Sequence, residues 1–181
     1  MSRPLFFRAS KIVIVFILLI GFFGCTRHYV PKQYPLKPGM APEFSGSNAI
    51  TIVNAQSSPG KAGKEEFLGS VGAVTWRGDL QKWTDTAVGL LKTELEKRGF
   101  NVTENAPKKL KLTITRANIY QGFAAIRSIL YLKVETGDGY IKEFEGNNAS
   151  PWTLYRACDG AVTRAVGAIL NDDKILSYLK E

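Results

Sequence analysis

Apolar positions along this chain recur with different periods, and each period predicts a different element. From Lys109 to Thr115 apolar and polar residues alternate, with Leu110, Leu112 and Ile114 on one side and Lys109, Lys111, Thr113 and Thr115 on the other. Period two predicts a strand with one wet face. Beyond Arg116 the apolar positions become Ala117 and Ile119. The parity has slipped by one, which predicts a bulge near Arg116. Leu80, Trp83, Ala87, Leu90, Leu91 and Leu95 recur at three- and four-residue spacing and predict a helix from Asp79 to Gly99. Asp79 is its expected N-cap, Lys97 and Arg98 suit the negative end of its dipole, and Gly99 supplies a left-handed stop. Leu154, Cys158, Ala161, Val162, Ala165 and Ile169 form the stripe of a second helix. Ser150 is its expected N-cap, with Pro151 at the first helical position. Asn171-Asp172-Asp173 ends it, and "KILSYLK" makes a short last helix.

The remaining patterns are shorter. "AITIVNA", Ala49 to Ala55, reads as a buried strand. Phe67 to Trp76 reads as a second strand weakened by Gly69 and Gly72. Ser128 to Glu135 and Tyr140 to Glu145 are strands joined by the tight turn "TGDGY". Strands on either side of the first helix can pair in parallel through a right-handed crossover. The order predicts an α+β two-layer sandwich. A four- or five-stranded, mainly antiparallel sheet carries two main helices on one face, in the order β-(β)-α-β-β-β-α.

The first 48 residues fit no such pattern. Arg3, Arg8 and Lys11 precede an apolar core, and Gly24 sets a small residue directly before Cys25. That is the layout of a secretory signal. The uninterrupted core, Ile12 to Ile20, is nine residues, whereas a spanning helix needs about 20. "FFGC", Phe22 to Cys25, resembles the bacterial lipoprotein box. The resemblance implies cleavage before Cys25, a diacylglyceryl thioether on its sulfur and acylation of the new amine. Several acyl chains on one residue make a stable membrane anchor. Thr26 stands where an aspartate would resemble an inner-membrane retention signal, which favours the outer membrane. Thr26 to Asn48 carries Pro31, Pro35, Pro38 and Pro42 and reads as a tether, extending about 3.1 Å per residue where it is polyproline-like. Tyr29, Val30, Tyr34 and Leu36 are apolar enough to dock part of it. The expected organisation is a cleaved signal at 1–24, a lipidated cysteine and tether at 25–48, and one domain at 49–181.

Charge follows from this division. The chain has 24 Lys and Arg against 16 Asp and Glu, a net +8. Removing Arg3, Arg8 and Lys11 leaves 21 against 16, or +5. That balance fits contact with anionic envelope polymers or lipid headgroups. Nucleic acid is a poor partner for an exported chain whose lysines do not interleave with aromatics. With Cys25 lipidated, Cys158 has no disulfide partner and reads as a small buried residue.

Catalytic signatures fail on residue types. "SSPGKAGKE" has Ser58 where a phosphate-binding loop needs Gly, and Glu65 where it needs Ser or Thr. His28, in the tether, is the only histidine, which excludes a His-based triad or a His-rich metal site within the domain. Glu65, Glu66, Glu143, Glu145 and Asp159 leave carboxylate hydrolysis formally open, without a distinguishing context. No catalytic residue, metal site or cofactor is expected. "YQGFAAIRS", Tyr120 to Ser128, joins two strands yet is apolar at Phe123, Ala124, Ala125 and Ile126, with Arg127 beside them. Either the strands run longer and this is core, or Phe123, Ile126 and Arg127 form an exposed partner contact.

The lipoprotein box, "LEKRGFNV", "LKLTITRANIY" and "AVTRAVGAILNDDKILSYLKE" together resemble the uncharacterised YajG-type lipoproteins of Gram-negative bacteria. That resemblance implies no activity and no site residue beyond Cys25. The arrangement also looks like small envelope lipoproteins that activate cell-wall synthases or assist lipid transporters. The expectation is a non-enzymatic outer-membrane lipoprotein on the periplasmic face, an accessory or scaffold subunit with a protein partner in the envelope. The rival readings are a lipid or glycan carrier and an unrecognised envelope hydrolase.

Overall fold

The computed structural model describes residues 26–56, 66–71 and 74–181. Cys25, the apolar N-terminal run and the "SSPGKAGKE" loop up to Glu65 lie outside the described residues. The strands are β1 (Thr26–His28), β2 (Ala49–Asn54), β3 (Glu66–Val71), β4 (Val74–Asp79), β5 (Asn101–Val102), β6 (Lys108–Gln121), β7 (Ile126–Thr136) and β8 (Ile141–Ser150). The helices are α1 (Leu80–Glu96), α2 (Leu154–Ile169) and α3 (Asp173–Lys180). The protein is α+β, with α1 and α2 packed on one face of the sheet.

Strand β6 organises the sheet. Along one edge it pairs antiparallel with β7, and β7 pairs antiparallel with β8, giving the expected meander. Along the other edge its first half pairs in parallel with β2, from Ile50 opposite Lys108 to Asn54 opposite Leu112. Its far end meets β3 where Ser70 lies opposite Tyr120. β5 extends the sheet beyond β2, while β4 and then β1 extend it beyond β3. Among the described residues the sheet therefore has eight strands, not four or five. It is mixed, not mainly antiparallel: β1·β4, β2·β5, β2·β6 and β3·β6 are parallel. The stretch expected as one strand over Phe67–Trp76 is two, because the chain reverses between Val71 and Val74.

The bulge falls where the parity slipped. Pairing with β7 shifts register between Ile114 and Arg116, so Thr115 is the extra residue. Here β2 has ended and β3 has not begun. The Ile114 N–H has no strand opposite and donates instead to Gln56 Oε1 at 3.1 Å and Thr84 Oγ1 at 3.3 Å. Gln56 and Thr84 are both buried, and a buried amide without such partners would cost stability. Leu110, Leu112, Ile114, Ala117 and Ile119 all reach the core, which also takes Leu130, Leu132 and Val134 from β7.

The helices end as local chemistry requires. Asp79 accepts the Lys82 N–H at 3.2 Å at the start of α1, and Gly99 at φ +88° follows its end. α2 corrects the expected cap. Ser150 stays in β8, and Thr153 caps the helix by accepting the Arg156 N–H at 3.2 Å. The Ser150 hydroxyl accepts the Thr153 N–H at 3.2 Å, so it shapes the turn before the helix.

Residues 29–48 form a strap across the outer sides of α1 and α2. Tyr29 and Leu36 pack against the core, while Val30 and Tyr34 are exposed. Docking is more extensive than the sequence pattern suggested. The Trp83 indole N–H donates to the Tyr29 carbonyl at 2.9 Å and Thr86 to the Pro31 carbonyl at 3.1 Å. The Tyr29 hydroxyl and the Lys32 N–H both donate to Asp159 Oδ1, at 2.5 and 2.8 Å. Asn171 holds the Met40 carbonyl at 2.7 Å.

Two glycines separate tight packing from adjustable packing. A Cβ on Gly146 in β8 would lie 2.0 Å from the Ala161 carbonyl oxygen in α2. Neither backbone can yield there. A Cβ on Gly89 in α1 would lie 2.2 Å from Gln33 Nε2, the free end of a flexible side chain. Gly146→Ala should therefore destabilise the domain by about 1–3 kcal/mol. Gly89→Ala should be neutral or stabilising by up to about 1 kcal/mol, since alanine is the better helix former. Thermal unfolding of both variants checks the contrast. A further substitution tests the strap: Asp159→Ala strands the Tyr29 hydroxyl and Lys32 N–H and should cost about 1–3 kcal/mol. Trypsin should then cut after Lys32 faster than in wild type, whereas Asp159→Asn should keep most of the protection.

Candidate binding surface

One end of the sheet brings together Tyr120, Phe123, Arg127 and Trp152, all exposed. The β6–β7 hairpin turns there, closed by the Gly122 N–H donating to the Ala125 carbonyl at 2.8 Å. Phe123 at its tip is fully exposed. Ile126 is half-buried and packs on the core. Arg127 is exposed and donates to Asn147 Oδ1 at 3.1 Å. The structure divides Tyr120–Ser128, with Ile126 packed on the core and Phe123 and Arg127 exposed. The strands do run longer, to Gln121 and from Ile126, but Phe123 lies outside the core.

Pairing carries this end across to α2. Ile126 lies opposite Ser150, and Arg127 opposite Ala149. From Ser150 the chain enters the turn into α2, where Trp152 is 79% exposed. A groove of about 940 Å³ opens between this turn, the outer side of α2 and the strap. Tyr34, Lys37 and Met40 form the strap wall, with Trp152, Arg156 and Arg164 opposite. Sequence reasoning missed the groove because its walls lie more than 100 residues apart in the chain. Arg156 did carry a signal: it falls opposite the apolar stripe of Leu154, Cys158 and Ala161.

Of the acids considered for hydrolysis, Glu65 lies outside the described residues, and Glu143, Glu145 and Asp159 do not converge. Asp159 is buried and its Oδ1 is taken by the strap. Glu143 lies on the other face of the sheet, where Thr115 donates to it at 2.5 Å, and Glu145 is exposed on the same strand. No group of three or more His, Cys, Asp or Glu side chains suited to a metal converges among the described residues. Cys158 is free and fully buried, and burial pushes its thiol up to about 12. It is a packing residue with negligible thiolate. Burial, with the Asp159 carboxylate beside it, also pushes the Tyr29 hydroxyl far above its ordinary range, so it stays a donor. No helix among the described residues is long and apolar enough to cross a membrane.

The fold and groove define an α+β domain with a docked N-terminal strap and an open basic cleft. No family model matches the chain, and no curated protein does. Among solved structures it is similar to protein XCC0632 from Xanthomonas campestris, of family DUF330, with a TM-score of 0.51 at 14% identity over 84% of this chain and 94% of that one. That likeness is one of fold. More distant matches are a PelC dodecamer from Paraburkholderia phytofirmans (TM-score 0.36, 12% identity, 77% of this chain and 92% of that one) and a Helicobacter pylori homologue of a neuraminyllactose-binding hemagglutinin (0.37, 11%, 81% and 96%).

Acid sensitivity follows from one strap contact. Glu94 on α1 accepts the Leu36 N–H at 3.4 Å, Lys97 at 2.8 Å and Arg98 at 2.8 Å. Burial alone would raise its carboxyl, but the Lys97 and Arg98 hydrogen bonds hold it below the ordinary glutamate range. A depressed folded-state value gives stability that is whole above the unfolded value, about 4.3, and falls as pH drops through the lower folded value. Denaturant titrations across that window should show the decline, and Glu94→Gln should flatten it.

Proposed function

We propose that the protein is a lipid-anchored, non-enzymatic accessory subunit of an envelope complex, held at the periplasmic face of the outer membrane. The observation that carries this reading is Phe123, a fully exposed aromatic at a hairpin tip beside Arg127. An exposed aromatic next to an arginine has the composition of an interface anchor. The basic N-terminus, the short apolar run and Cys25 support the anchoring, as does the resemblance to the YajG-type lipoproteins. Because β1 begins at Thr26, an acylated Cys25 would hold the β1–β4 edge of the domain at the bilayer surface, without a free tether between them.

Crosslinking and affinity purification of the intact lipidated protein tests this reading. A reproducible protein partner is expected. Phe123→Ser combined with Ile126→Ser should reduce its recovery about tenfold or more, the scale of a lost hot spot. Phe123→Ser alone should leave the folded fraction unchanged, since Phe123 lies outside the core, while the double variant also loses the core packing of Ile126 and is compared at equal folded protein. Undiminished capture, or capture of lipid alone, would sink the proposal.

A further inference from the structure

We infer that the groove between the strap and α2 is a binding site for an anionic saccharide, a sugar chain bearing carboxylates or phosphates. This goes beyond the Phe123 contact and rests only on the export part of the preceding reading. Three cations line the groove: Lys37 from the strap, and Arg156 and Arg164 from α2. None of the three side chains has a hydrogen-bond, ion-pair or ring partner among the described residues. The one acid in the lining, Asp159, is buried and occupied by the Tyr29 hydroxyl and the Lys32 N–H. Those two donors are neutral and leave its charge in place, so the lining sets three cations against one carboxylate and the groove is net positive. Arginine binds carboxylate and phosphate through paired N–H donors, so anions are the ligands it favours.

Shape and aromatics narrow the class. Trp152 and Tyr34 are 79% and 51% exposed and belong to opposite walls. Their flat apolar faces match the C–H faces of pyranose rings, while their polar ends remain wet. A small inorganic anion would leave both rings unused. An acyl chain would leave the cations unused and needs an enclosed apolar cavity. The volume, about 940 Å³, suits several sugar units. Single-stranded nucleic acid would also use cations and rings, but a secretory signal places the chain away from it.

Calorimetric titration of the full-length protein in detergent micelles with tetragalacturonate tests the site. Cellotetraose, inorganic phosphate and an oligothymidylate serve as comparison ligands. Tetragalacturonate should bind with an affinity that falls as salt rises, bind more tightly than the other three, and quench Trp fluorescence. Arg156→Ala with Arg164→Ala should weaken it by about tenfold or more. Trp152→Ala should weaken it and remove most of the quenching. Phe123→Ser should change nothing, so a failed partner contact and a failed groove are told apart. Absence of binding at millimolar tetragalacturonate would overturn the inference. So would equal or tighter binding of phosphate, cellotetraose or oligothymidylate, or an affinity indifferent to the arginine pair in variants that fold normally.

Discussion

A carboxylate buried on the outer side of a helix needs donors, and in α2 that carboxylate is Asp159. Its own helix cannot supply them, because the backbone N–H groups there are committed to the helix. The Tyr29 hydroxyl and the Lys32 N–H supply them from the strap. Glu94 does the same on α1, taking the Leu36 N–H together with Lys97 and Arg98. Both helices therefore have two buried sides, one apolar against the sheet and one polar against the strap. Removing the strap would strip Asp159 of both donors and take the Leu36 N–H from Glu94, so the strap belongs to the domain energetically.

The sheet solves a related problem. A strand as long as β6 needs a partner along both edges, and β2 and β3 each cover only part of one. The gap between them falls at Ile114, and the bulge at Thr115 sits there too. Gln56 and Thr84 close it from the end of β2 and the start of α1. The opposite face carries no helix among the described residues and mixes charged side chains with exposed apolar ones such as Val53 and Ile141. Lys111 pairs with Glu135 at 2.8 Å, and Arg116 lies 4.2 Å from the Tyr131 ring centroid. Glu143 and Glu145, exposed along β8, discourage pairing at that sheet edge.

How much of this was legible in the sequence depends on how far each feature relies on distant residues. The alternation in β6, its slip near Arg116, the Asp79 cap and the Gly99 stop are local, and each lies where the pattern put it. β1 and β5 are two or three residues long and exist because a neighbouring edge is free, which no local period records. The reversal between β3 and β4 was hidden by glycines read as weaknesses within one strand. Ser150 failed as a cap because pairing with Ile126 keeps it in β8. Of the candidate contact, Phe123 and Arg127 were visible as residues out of place in a turn. Asp159 looked like any exposed helical acid, since its burial depends on Tyr29, 130 residues earlier.

That dependence also fixes the status of the groove. One wall is the strap and the other is α2, and the strap is held to α2 through Asp159, which itself lines the groove. A groove built this way exists only while the strap is docked. Tyr34 and Lys37 face Trp152, Arg156 and Arg164 only in that state. A ligand bridging the two walls would bind the docked state alone and so stabilise it by mass action. The strap follows β1, so the sheet pins its N-terminal end through the pairing of β1 with β4.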